Sequence, residues 1–487
     1  MPHAKLSRRA VLAATALTTG AAVIGGPAAL ATAAAATTPV DGYPARRITG
    51  YDTLSYLNYP HNNGFFRGGS HVLIRKQAFP SDLPAYLTIH NLKTGTFQTL
   101  PERKPGRPML GGYFDVNYRT GLLVIPESAA QAALDGTTVR VWAINLNAVV
   151  EHGTAEWREV FRLPPNTTVA DTMVGIHPDG TKIAFSIMSN DLVPGGELPG
   201  DRHCRIVEVD LGTGAERTLV EHDLLSNHVH YSPANPEWVM FTREGDVNLH
   251  TQRIWGYHPV HAPHGANIGN QLLPNGSYLR VGHERACFDE EATVACNYAA
   301  PRSLYKFYFD QRPPVELARG WFEHCDVSRD GRFVVSDTGG PAYPGQTSLT
   351  VVDLGLGNTA TTVLTDLTRG LNHPRHIHPV FSPDGRYVFF NDPDPVDRNA
   401  AGLRVGYVDL RPHGFSDALP IVIGRVNTEV PNRRGPSDRT FLDELYKYAP
   451  FGSPDALRRR VDETVIKWRR AGLLSDAEGE RVRLAAR

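Results

Sequence analysis

Three histidines, His373, His376 and His378, fall within six consecutive residues. His376 and His378 are two apart, so on a strand both imidazoles point to one face. His373, from the loop before them, can close over the same point. Imidazoles converging in this way suit a divalent transition metal. A second group runs His228-Val229-His230-Tyr231, followed by Arg243-Glu244-Gly245 and Arg253-Ile254-Trp255. His228 and His230 again share a face. With Tyr231 and Arg243 they supply a proton acceptor, a proton donor and a clamp for an anion. Singly, each residue has a plainer reading: a lone His caps a strand end, and a lone Tyr231 or Trp255 packs in a core. The grouping is what points to chemistry.

Something must bring these groups together, and the chain carries a repeat that can. A short apolar strand, a Gly-containing turn and a second apolar strand recur along it. The clearest copies are GIHPDGTKIAFS, DVSRDGRFVVSD and PVFSPDGRYVFFND. Asp-Gly between apolar runs is a strong hairpin signal. Counting weaker copies, the first turn residues are Gly68, Thr120, Asp179, Ala234, Asn275, Asp330 and Asp384. Strand-Gly-strand segments such as IVEVDLGTGAERTLV lie between them. Four strands in each unit of about 50 residues make a β-propeller blade. The chain therefore reads as all-β, a seven-bladed β-propeller over residues 45–427; an array of β-sandwiches fits the even spacing less well. Residues 428–487 read as a short α-helical C-terminal extension. Ser453-Pro454 starts a helix, Leu457, Val461, Val465 and Trp468 share its face, and Ser475 with Glu478 forms a capping box for another.

In a propeller the innermost strands line a channel and start at one mouth. Six residues before each turn lie Asn62, Phe114, Met173, His228, Gly269, His324 and His378. Three of these seven are His, although the whole chain has only 20. His324 thus joins His373, His376 and His378 as a metal ligand. His61 and Asn62, with Arg253, Trp255 and His264, are the expected substrate contacts.

Composition narrows the class. Fifty basic and 51 acidic residues give a net charge of -1, which removes the electrostatic case for a nucleic-acid binder. Residues 1–36 read as a twin-arginine export signal: Ser7-Arg8-Arg9, an apolar run from Ala10 to Ile24, then small residues. Secretion is therefore expected, with no membrane span once the signal is removed. Cys287 and Cys296 close a short loop and could form a disulfide in an oxidising compartment. Cys204 and Cys325 read as buried thiols.

At these residues the chain resembles the oligogalacturonate lyase family, seven-bladed propeller polysaccharide lyases. The family pattern of a ligand, two residues, His, one residue, His and Pro before an FSPDG turn matches His373, His376, His378, Pro379 and Phe381-Ser382-Pro383-Asp384-Gly385; the family typically has Gln where His373 stands. Its His-Pro-x-Tyr-x-Pro segment, followed by Glu-Gly and Arg-x-Trp, corresponds to His228-Val229-His230-Tyr231-Ser232-Pro233, Glu244-Gly245 and Arg253-Ile254-Trp255. The resemblance implies that His228 is the proton-abstracting base and that the metal is Mn2+, though these ligands would also accept Zn2+ or Ca2+. A further metal-binding His is expected in the fifth blade, where this reading finds Gly269. The expected activity is β-elimination on a uronate-containing oligosaccharide or polysaccharide. A glycoside hydrolase on the same scaffold and a non-catalytic propeller that binds a glycan or protein are the competing readings. The first would need a carboxylate pair at the blade starts, where Asp171 is the only acid in the central blades.

Overall fold

The computed structural model describes residues 43–487, apart from 44, 51–52, 58–63, 79–84, 105–112, 197–200, 245–251, 270, 273–275, 277, 301, 340–346, 368–374, 395–401, 411–416, 418, 449–450 and 452. The export signal, His61, Asn62, His373, Gly245 and Asn275 lie outside the described residues.

Seven antiparallel blades follow one another along the chain. Their innermost strands are Phe65–Phe66, Asp115–Val116, Thr167–Ile176, Ser226–Tyr231, Val281–Ala286, Phe322–Val327 and Val380–Phe381. In blades two to six the strands pair outward into separate four-stranded sheets. The seventh blade takes its fourth strand from the other end of the chain. Ala45–Arg47 pairs antiparallel with Leu403–Asp409, Ala45 opposite Val408. This closes the ring and leaves no open sheet edge between first and last blades. A further strand, Thr53–Tyr56, bridges those two blades into one sheet.

The Asp-Gly turns form as their chemistry requires. Gly180, Gly331 and Gly385 have φ of 79°, 69° and 71°, in the left-handed region that favours glycine. The preceding Asp179, Asp330 and Asp384 each accept a backbone N–H two residues on, from Thr181, Arg332 and Arg386. Apolar side chains of neighbouring blades interleave, as where Val174, Phe185 and Val207 of blade three meet Val124 and Val141 of blade two.

Blade five departs from the expected register. The Asn275-Gly276 signal falls in the connection between blades four and five, where Leu272 is bridged to Tyr278. The inner hairpin of blade five turns instead at Cys287–Glu291, between Val281–Ala286 and Ala292–Asn297. That turn contains no glycine, so a glycine-based reading passes over it. It also rules out the Cys287–Cys296 bond that the sequence left open. Cys296 lies four residues along the strand from Ala292, which receives the Cys287 N–H, or about 13 Å away, beyond disulfide reach. All four cysteines are buried and unbonded.

The C-terminal extension begins earlier than residue 428. A hairpin, Pro420–Ile423 with Val426–Pro431, shares a core with the helices Phe441–Tyr446, Pro454–Arg470 and Asp476–Ala485 through Ile421, Val430, Leu445, Val461, Trp468 and Val482. The expected caps form: Ser453 accepts the Ala456 N–H, and Ser475 with Glu478 makes a capping box. The unit sits on the turn side of blades five and six. Arg425 pairs with Asp289 and Glu290 at 2.6 Å each, and the fully buried Arg332 reaches both Asp353 and the Val422 carbonyl. Among the described residues, no helix is long and apolar enough to cross a membrane.

Candidate active site

The inner hairpin of each blade is closed by one backbone N–H, that of Asn117, His177, Ser232, Cys287, Ser328 or Ser382 in blades two to seven. Four residues before these donors stand Tyr113, Met173, His228, His283, His324 and His378. Four consecutive blades therefore present an imidazole at one level. The strand register shifts at this level in blades three to six. His228, His283 and His378 have φ of 52°, 50° and 45°. Bulges re-aim a side chain, and a left-handed non-glycine residue costs about 1–3 kcal/mol, so such positions gather at functional sites.

The imidazoles form one continuous cluster. Ring centroids lie 6.4 Å apart for His228 and His283, 4.1 Å for His283 and His324, 4.5 Å for His324 and His378, 5.2 Å for His324 and His376, and 5.7 Å for His376 and His378. The ligand atoms of His324, His376 and His378 all lie within 4.8 Å of one another, and all three residues are buried. These three can hold a divalent cation.

Carboxylates orient the rings. Asp337, on the second strand of blade six, faces His324 Nδ1 at 3.0 Å, which leaves Nε2 as the ring atom that would bind a cation. Glu284, the residue after His283, faces His228 Nδ1 at 3.1 Å. Burial is the largest single influence on the His228 pKa and lowers it, but the charge and hydrogen bond of Glu284 together with the charge of Glu244 outweigh it, and the group sits above the ordinary histidine value. Glu244 pairs with Arg253, whose Nη1 also donates to the Val281 carbonyl at 3.4 Å, bridging blades four and five. Tyr298 places its hydroxyl against His283 Nδ1 and donates to the Glu323 carbonyl at 3.0 Å.

The structure brings some of the expected site residues together and places others apart. His228, His324, His376, His378, Arg243 and Arg253 gather at the mouth. Arg243 lies 3.5 Å over the Trp255 ring, and burial lowers its pKa. His230 sits one level deeper and donates from Nδ1 to the His228 carbonyl at 2.7 Å. Tyr231 leaves the site: its hydroxyl donates to Glu208 of blade three at 3.1 Å and its ring packs edge-on against His177. His264 is exposed on the outermost strand of blade four, Ala262–Asn267. Phe114 points into the core between blades one and two, and Gly269 follows that outer strand with φ 73°. The blade-five position assigned to Gly269 belongs to His283. His283, Glu284, Tyr298 and Asp337 went unread; counting back six from Asp289 finds the first of them.

No protein-family model matches the chain. It is 24% identical over 374 residues to the oligogalacturonide lyase of Pectobacterium atrosepticum, covering 71% of this chain and 88% of that one. It is 24% identical over 380 residues to the oligogalacturonate lyase of Dickeya dadantii, covering 72% and 90%. A solved oligogalacturonate lyase in complex with manganese superposes with a TM-score of 0.58 at 20% identity, over 75% of this chain and 92% of that one. The chain is a distant relative of these proteins and shares their seven-bladed propeller.

Proposed function

We propose that this protein is a carbon–oxygen lyase that cleaves uronate-containing oligosaccharide or polysaccharide by β-elimination, after export through its twin-arginine signal. The observation that carries this reading is the His228–Glu284 pair, 3.1 Å apart, beside a cluster of three imidazoles able to hold a cation.

His324, His376 and His378 would hold the divalent ion, with His373 as a further ligand from the sequence pattern and His283 stacked alongside. Mn2+ is the ion this reading favours, because a structural neighbour carries manganese. Bound there, the ion would offset the charge of the substrate carboxylate and so acidify the proton α to it. His228 accepts that proton, and Glu284 stabilises the imidazolium that forms. Arg243 has no carboxylate partner among the described residues, and its Nε is buried without a hydrogen bond. A cation left in that state favours an anionic ligand, and we assign it to the uronate carboxylate. The C–O bond to the 4-linked sugar then breaks, leaving a double bond conjugated to the carboxylate, and the departing oxygen takes its proton from the His228 imidazolium or from water. Glycoside hydrolysis fits less well, because Glu244, Glu284 and Asp337 are each engaged by Arg253, His228 and His324.

The test is near-ultraviolet absorbance of the unsaturated product on a panel of uronate glycans, with and without chelator. A rise that is lost with chelator and in His228→Ala supports the reading. Full activity in His228→Ala, or no rise on any uronate from protein that binds metal, overturns it.

A further inference from the structure

The hairpin turns at the end of the channel opposite the imidazoles carry a group that the site above does not use. Tyr118 stands in the turn of blade two, Phe288 in that of blade five and Arg329 in that of blade six. Blades two and six are as far apart as two blades of a seven-membered ring can be. Yet the Arg329 guanidinium lies 4.0 Å over the Tyr118 ring and 5.2 Å over that of Phe288. The Arg329 side chain therefore crosses the central channel at its turn end.

Its charge is not balanced there. Arg285, on the innermost strand of blade five, holds Asp326 at 2.7 Å. Arg329 has neither a carboxylate partner nor a hydrogen bond among the described residues. The Tyr118 hydroxyl is buried and also lacks a hydrogen-bond partner. The acids that face this point are engaged elsewhere. Asp326 takes Arg285 and the Phe381 N–H. Asp115 accepts the Ile176 and Val116 N–H groups, and burial raises its carboxyl to about 7. Asp384 is held in its own turn by the Ser382 hydroxyl and the Arg386 N–H. Arg285 and Arg119 add further positive charge, and burial lowers the Arg329 pKa to about 10. Two rings fix the plane of the guanidinium, while its N–H groups lie along that plane and stay available. The phenolic O–H adds another donor. Buried donors with no acceptor are costly, and an anion satisfies them together.

We propose that Arg329 and Tyr118 bind a small inorganic anion, a halide or an oxyanion, at the turn end of the central channel. The anion ties blade two to blade six and stabilises the ring. The site is independent of the lyase reading.

The experiment follows the thermal midpoint of the full chain in chloride or in phosphate, each against gluconate at equal ionic strength. At about 100-fold over Kd, either anion should raise the midpoint by roughly 2–5 °C. A gain in chloride assigns a halide, and a gain in phosphate alone assigns an oxyanion. The gain should vanish in Arg329→Met and persist in Arg243→Met, which removes an arginine of the imidazole mouth. Tyr118→Phe keeps the stacked ring and loses only the hydroxyl, so it should weaken affinity about tenfold. Crystals soaked in bromide or phosphate locate the anion directly, even if Arg329→Met fails to fold; the expected peak lies within hydrogen-bond reach of Arg329 and Tyr118. A gain of equal size in every variant overturns the site, because it marks a general salt effect. A gain lost only in Arg243→Met overturns it too, since the anion then sits at the imidazole mouth. No gain from either anion, with no peak beside Arg329, also sinks it.

Discussion

Asp337 grips His324 at two points, accepting its backbone N–H on Oδ1 at 2.7 Å and facing ring Nδ1 with Oδ2 at 3.0 Å. The backbone bond falls where the strand register breaks, between Phe322 and Cys325. One carboxylate therefore supports the bulge and sets the tautomer of the imidazole that the bulge presents. Structure and ligand chemistry are coupled in a single side chain.

Asp337→Asn follows directly. The amide keeps the shape but loses the charge that holds the His324 ring in its metal-binding tautomer. Metal affinity should fall about 10–100-fold, read by calorimetric titration of Mn2+ into the apo protein. An affinity within twofold of the original would show that Asp337 serves only the backbone.

Glu284 sets a pH limit. His228 must be neutral to accept a proton, and against the effect of burial the charge and hydrogen bond of Glu284, with the charge of Glu244, hold its pKa above the ordinary histidine value. Activity should therefore climb with pH through a midpoint above that of a free histidine. In Glu284→Gln the charge is gone and burial dominates, so the acid limb of kcat/KM should move to lower pH. The rate on the plateau should drop roughly a hundredfold, because the imidazolium formed during reaction loses its partner. An acid limb that stays in place would assign the titration to another group.

How far the sequence could be read depended on where glycine marks a turn. The propeller was legible because Asp179-Gly180, Asp330-Gly331 and Asp384-Gly385 punctuate three blades with one chemistry. Blade five hid His283 because Cys287–Glu291 turns without glycine, and the nearby Asn275-Gly276 supplied a false register that also promoted Gly269 and His264. In blade two the count lands on Phe114 in place of Tyr113, because Gly121 sits one residue later in a turn of the same length, four residues after Asn117 where Gly180 follows His177 by three. Tyr231 was misplaced because the residue after His230 on a strand faces the other way. Glu284 and Asp337 were out of reach for a different reason: their partners lie 56 and 13 residues distant, on another blade or the neighbouring strand.

Tyr231 offers a test that separates packing from chemistry. Its buried hydroxyl donates to Glu208, which also takes Arg217 at 2.9 Å and Lys182 at 3.3 Å. Tyr231→Phe should cost about 1–2 kcal/mol in denaturant unfolding and leave kcat within a factor of two or so. A large loss of kcat at unchanged stability would return Tyr231 to the catalytic set.

The last prediction concerns the far side of the ring. Arg332 is fully buried, forms an ion pair with Asp353 at 2.9 Å and donates to the Val422 carbonyl at 3.4 Å. It ties blade six to the C-terminal hairpin from inside. Arg332→Ala leaves the buried Asp353 carboxylate without its cation, and breaking a buried pair in this way costs about 3–5 kcal/mol. The loss should appear as a lower denaturant midpoint together with faster proteolysis after residue 410, where the extension leaves the propeller. Arg332 lies beyond the hairpin turn from His324, at the opposite end of the innermost strand, so Mn2+ affinity of the folded variant should stay within twofold. If affinity collapses while the extension remains protease-resistant, the anchoring role is wrong, and blade six must transmit strain from its turn to the imidazole mouth.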